Sequence, residues 1–394
     1  MKKNIIAKSI LASFLLSAFA TYGAQEKSLP MPGPADNSPP PVRFESPEHQ
    51  SIGAAVLLKT PGPFDDLNTI KGKPGNMVWV KKYDANGTKK NLTYADIVWL
   101  SGDLMAEPNE SIGLSNTPIK ALDANLAAFD KYQKYLPEVL EVYREMVAEL
   151  DAQMTSGQKL DLSNKYDYKF NSATGGWGGI ASLLNWGLYL ELANSNYDHF
   201  GKQAVKTYLT AHEKALKVAA NATSFDDLRT AYFIDGFGAH FLSDLFASGH
   251  VRVPRYELTQ LCVNSVIKPS VLNSLNSKAM HDADGEKGLI LVNGRGESWF
   301  AKGDKNYYTL ENIADRQRVV STLQQSIDQV YNAFASKNPN IAANNSAMLQ
   351  IMPDLEAIKT KNKDSHPPLF YVSDNGTQIY KRQEKTNSYA VECP

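Results

Sequence analysis

The sequence predicts a mainly α-helical domain decorated with short β-hairpins. Two observations predict it. Between residues 119 and 361, long stretches repeat apolar positions at helical spacing. Asn293-Gly294 and Asn375-Gly376, each flanked by β-branched or aromatic residues, are tight-turn signals for antiparallel pairs.

Taken in order, NMVWVKKY (76–83) reads as a first strand. Residues 119–153 alternate apolar and charged positions at a helical period, with Pro137 opening a second helix. Residues 180–193 and 201–220 read similarly. Residues 225–247 follow Thr223-Ser224, which offer N-cap chemistry, and Asp226 and Asp227 sit in the first turn where negative charge is favoured. GLILVNGRGESWFA (288–301) is two β-type runs around a turn, followed by helices over about 309–336 and 340–361. The tail from 366 to 394 reads as a second small hairpin. No internal repeat appears.

The ends of the chain carry a different signal. Lys2 and Lys3, an apolar run from Ile10 to Phe19 and the small residues Ala18, Ala20 and Ala24 have the layout of a secretory signal, assigned to 1–24. That run is too short to span a bilayer, so an exported protein, periplasmic or extracellular, is expected. Residues 25–43 form a proline-rich leader, 44–364 the helical catalytic domain and 365–394 an appended hairpin tail. The formal net charge is −1 and charges of both signs are interspersed, which argues against a polyanion-binding surface. The two cysteines, Cys262 and Cys393, either pair or remain free thiols.

The chemistry concentrates in AHFLSDLFASGHVRVPR. His240 and Asp244 are four apart and share a helix face, and His250 follows a Ser248-Gly249 break that lets the chain fold back. A carboxylate inside an apolar helix is costly to bury unless a cation or donors compensate it. Two imidazoles and a carboxylate make a ligand set suited to zinc. Of the seven histidines, His212 lies beside charged residues and reads as a solvated surface side chain; His366, before two prolines, reads as a loop residue.

The segment HFLSDLFASGH resembles the signature of the zinc-dependent phospholipase C and single-strand nuclease superfamily, and is closer still to a branch of phospholipases C from Gram-negative bacteria. YDHFGKQAV, MHDADGEKGL and NGRGESWFAKGD extend the resemblance over roughly residues 44–336. It implies an exported, mainly α-helical enzyme with three zinc ions in one cleft. On that resemblance His240 holds one zinc with His199, Asp244 bridges to a second, His49 serves the N-terminal metal position, and His250 and His281 hold the third. Asp282 or Asp304 replaces the glutamate that the family places four residues after its last histidine, and Asp103 is the candidate base for the attacking water. The chain departs from the family in lacking a proline before His250 and an asparagine after it. It also lacks a counterpart of the N-terminal tryptophan ligand.

Further candidates come from position. Arg252 and Arg255 can add positive charge for a phosphate or headgroup, or form surface salt bridges. Asp198, Asp235 or Asp282 can orient imidazoles. Trp177, Trp186, Tyr189 and Trp299 are either core or a choline-binding wall. The implied activity is hydrolysis of glycerophospholipids, phosphatidylcholine first, to diacylglycerol and a phosphorylated headgroup by metal-activated water. The expected partner is a membrane surface, with no stable nucleic-acid partner. A zinc-dependent single-strand nuclease and a non-catalytic exported protein with a structural metal are the alternatives.

Overall fold

The computed structural model describes residues 45–60, 72–156, 163–261, 269–304, 306–383 and 388–393. The expected signal, the leader and Cys262 lie outside them. In chain order the elements are α1 (Glu45–Ala55), β1 (Leu57–Leu58), β2 (Lys73–Pro74), β3 (Trp79–Ala85), β4 (Thr88–Thr93), α2 (Tyr94–Leu100), α3 (Pro118–Lys131), α4 (Leu136–Ser156) and α5 (Ser163–Ala173). There follow α6 (Leu188–Ser195), α7 (Gly201–Asn221), α8 (Phe225–Asp244), α9 (Ser248–Val251), α10 (Arg255–Leu261) and α11 (Pro269–Lys287). Then come β5 (Leu289–Val292), β6 (Ser298–Ala301), α12 (Ile313–Ser336), α13 (Ile341–Ile351), α14 (Leu355–Asn362), β7 (Phe370–Val372), β8 (Ile379–Arg382) and β9 (Tyr389–Cys393). The class is mainly helical, with small antiparallel sheets of two or three strands. Among the described residues no helix is long and apolar enough to cross a membrane.

Two compact units divide the chain. One contains residues 138–191; the other comprises 41–137 and 192–394 and holds every candidate metal ligand.

The second unit is organised around α8. Ser224 and Asp227 close a capping box at its start, each side chain accepting the other residue's backbone N–H. Every residue from Ala231 to Asp244 is buried, so the helix is covered on all sides rather than along one stripe. It packs against α1, α2, α7 and α12. Gly238 allows the approach of α7, since a Cβ there would lie 2.8 Å from the Ala211 Cβ. Polar groups buried in this packing satisfy one another. Asp235 accepts from Tyr94 Oη at 3.0 Å and Ser326 Oγ at 2.7 Å, and faces His212 Nδ1 at 3.0 Å. The other ring nitrogen of His212 lies 2.8 Å from Gln329 Oε1. The expectation of a solvated His212 is therefore wrong: it is fully buried and helps tie α2, α7, α8 and α12 together.

The hairpins follow turn chemistry. Asn86 and Gly87, both with positive φ, make the two-residue turn that pairs Ala85 with Thr88. β4 escapes sequence reading because its side chains are mostly exposed and carry no alternation. β5 and β6 pair as expected, but through a longer turn in which Gly296 takes the left-handed conformation. The helix expected over 340–361 is two, α13 and α14. Met352, before Pro353, is extended, and Asp354 restarts the helix by accepting from the Glu356 and Ala357 amides. Residues 179–183 form a 3-10 turn rather than the start of a helix. The tail is a three-stranded sheet, not a hairpin.

Trp299 is core, donating from Nε1 to Asp315 at 2.7 Å. Burial pushes the Asp315 carboxyl up to about 8, with Trp299 and Arg318 offsetting only part of the effect. The folded protein thus holds a proton between about pH 4 and 8 that the unfolded chain releases near its ordinary value, so this residue makes stability fall as pH rises through that window. Asp315→Asn is expected to remove that contribution, at most about 4 kcal/mol between pH 5 and 9. Urea midpoints of both proteins across the range test this, and equal pH slopes would contradict it.

Candidate metal centre

Seven segments bring eight side chains together. His49 lies on α1, His240 and Asp244 end α8, His250 sits on α9 and His281 on α11. Asp103 is in the turn after α2, His199 in the 3-10 turn Tyr197–His199, and Asp304 follows β6. Gly102, with φ +76°, turns the chain after α2 with no side chain between it and the imidazoles of His199 and His240.

The side chains fall into three groups that could each hold a metal ion, the first two sharing His240, whose one free nitrogen can serve only one ion: His49, Asp103 and His240; His199, His240 and Asp244; and His250, His281 and Asp304. Within each group the ligand atoms lie within 4.8 Å of one another. Asp244 stands at the junction. Its carboxylate oxygens are 3.3 Å from His49 Nε2, 3.0 Å from His199 Nδ1, 3.7 Å from His240 Nε2 and 3.8 Å from His250 Nδ1. It is fully buried, yet neither oxygen receives a hydrogen bond of proper geometry. A buried carboxylate in that condition is costly, and a cation among the surrounding nitrogens would compensate it. In the third group, Asp304 Oδ2 is 2.9 Å from both His250 Nε2 and His281 Nε2, and those two nitrogens are 3.1 Å apart.

Outer contacts aim the rings. His240 Nδ1 faces the Val98 carbonyl at 2.9 Å, and His250 Nδ1 faces the His199 carbonyl at 3.1 Å. A carbonyl only accepts, so Nδ1 carries the proton and Nε2 offers its lone pair to the centre. His49 is set by Ser243. That hydroxyl gives its one proton to the His240 carbonyl at 2.7 Å and so accepts from His49 Nδ1 at 2.8 Å. Asp282 does the same for His281 Nδ1 at 3.0 Å.

The electrostatics suit ligands. Burial, then the neighbouring His49, pushes the His240 imidazole well below its usual value and keeps it neutral. Burial alone would raise Asp244 and Asp304, but the surrounding histidines hold both well below the carboxylate range. Burial lowers His49, and the Asp244 carboxylate beside its ring more than offsets this, so its proton competes with a cation. A small cavity of about 30 Å³, room for a water, lies beside His49 and Asp304 and is also lined by Glu48, Ser243, Tyr307 and Asp315.

The structure thus assembles His49, Asp103, His199, His240, Asp244, His250, His281 and Asp304. Asp103 groups with potential ligands, not apart from them as a lone base. Asp282 falls outside all three groups: half-exposed, it holds His281 and Lys278. The two arginines do not point into the centre. Arg252 commits its fork to Asp284 with two bonds of 2.7 Å, and the buried Arg255 donates to the Ala193 carbonyl at 2.6 Å. Asp198 anchors the Ser111–Gly113 loop, and Asp235 serves His212; neither orients a ligand. Sequence reasoning missed Ser243 and Gly102, although Ser243 lies one helical turn after His240.

Comparison with protein families, with curated proteins and with solved structures returns no match.

Proposed function

We propose that this chain is a zinc-dependent phosphodiester hydrolase of the phospholipase C type. Its substrate on this reading is a glycerophospholipid, with phosphatidylcholine first. The observation that carries the reading is the fusion of three His/Asp groups through His240 and the buried, hydrogen-bond-poor Asp244. A single structural metal needs about four ligands, and eight side chains exceed that. Mixed imidazole and carboxylate donors at this spacing suit zinc. When bound, such ions supply positive charge to a phosphodiester and bring the pKa of water toward about 7. The chain's own part is to hold eight ligands, fix imidazole orientation through Val98, Ser243, His199 and Asp282, and exclude water from the Asp244 side.

The choice of lipid over nucleic acid rests on two further features. Near-neutral charge offers no polyanion track. Tyr308 and Leu310, exposed a few residues after Asp304 in the chain, present apolar surface.

The test is release of phosphocholine from phosphatidylcholine vesicles and of nucleotides from single-stranded DNA, each with and without a chelator. The expected result is chelator-sensitive lipid hydrolysis. Nucleotide release alone would move the reading to a nuclease. Lipid hydrolysis indifferent to chelation would overturn the zinc assignment.

A further inference from the structure

Beneath the third ligand group lies the C-terminal sheet. Phe370 and Ile379, at 1 % and 0 % exposure, join Phe200, Val253, Leu258 and Met280 in one apolar cluster. Two of these residues adjoin ligands along the chain or in space. Phe200 follows His199, and its ring stacks on that of His250 at 4.9 Å between centroids and 12°. It also meets the ring of His281 at 6.3 Å, edge to face. Met280 precedes His281 on α11. A polar clamp runs alongside: Arg252, two residues after His250, grips Asp284, three residues after His281, and donates to the His366 carbonyl at 2.8 Å. Arg382 and Tyr389 donate to the carbonyls of Pro367 and Pro368, both at 2.6 Å, which fixes the tail's entry onto this surface.

We infer that the C-terminal sheet is a support for one metal position: docking of Phe370 and Ile379 under Phe200 holds His250 and His281 at ligating distance from Asp304. This rests on the metal-centre reading above. In the other two groups, His240 and His49 take their orientation from Val98 and Ser243, on α2 and α8. Phe370 is therefore a positioning residue chiefly for the His250, His281 and Asp304 group. Residues 370–379 complete that position, so the centre is fully loaded only when this sheet has docked.

Removing the Phe370 ring leaves a void in the apolar cluster that packs Phe200, and so loosens the ring that stacks on His250. Outer-shell changes of this kind weaken metal binding about 10–100-fold. The experiment loads full-length wild type, Phe370→Ala, Phe370→Leu and Ile379→Val with zinc, dialyses them against buffer and measures zinc per chain beside far-ultraviolet circular dichroism. Expected is about three ions in wild type, about two in folded Phe370→Ala, and restoration toward three in Phe370→Leu. If Phe370→Ala does not fold, the milder Ile379→Val decides, with one ion weakened about tenfold in zinc titration. Folded variants that keep every ion, or lose all of them together, overturn the support role while leaving the metal centre standing. A wild-type protein without zinc overturns both.

Discussion

Asp244→Asn is expected to empty the centre and lower phosphodiester hydrolysis by roughly three orders of magnitude or more. The argument is one of charge. Asp244 lies within 4 Å of four imidazoles and is the carboxylate through which the second group adjoins both others. An amide keeps the shape but removes the negative charge and turns half the group into a donor aimed at ring nitrogens. Zinc content and activity of the variant check this. A variant that keeps its zinc and its activity would contradict it.

Gly102→Ala is expected to be the next most damaging single change. A Cβ there would sit 2.9 Å from His199 Cε1 and Nε2 and 3.1 Å from His240 Cδ2. His240 cannot retreat easily, being fully buried and tied to Val98. The backbone at φ +76° adds about 1 kcal/mol of strain for any residue with a Cβ. Displaced imidazoles should weaken zinc binding about 10–100-fold, with activity falling in step. Gly296→Ala separates the two causes, since Gly296 has φ +77° and nothing within 4 Å of an added Cβ. That control should lose about 1 kcal/mol in stability and keep its zinc. Equal zinc affinity in both variants would show that the contact with His199 and His240 does not matter.

Much of this was legible in the sequence where local rules act alone. The His240, Asp244 and His250 spacing, the Ser224 cap of α8 and the β5–β6 pairing depend on neighbours in the chain, and each appears where the sequence predicts it. What needed three dimensions was partnership. His212 shares a buried stripe with Tyr208, Ala211, Ala215 and Leu216, yet its neighbours Glu213 and Lys214 masked that stripe. Asp282 and Asp304 were equal candidates for one ligand place. Only the fold separates them, since α11 turns Asp282 toward Nδ1 of His281 while Asp304 arrives from β6 against Nε2. Arg252 follows a ligand in sequence but finds its acceptor 32 residues away. The third strand of the tail follows no Asn-Gly or Asp-Gly pair, so the sequence carries no tight-turn signal for its pairing with β8.

The most direct measurement of the central claim is the metal content of the purified full-length protein, by elemental analysis before and after exhaustive dialysis with a chelator. Three groups of ligands joined through His240 and Asp244 predict about three zinc ions per chain, lost on chelation and restored with zinc. A protein that purifies without metal and takes up none when zinc is supplied would contradict the account.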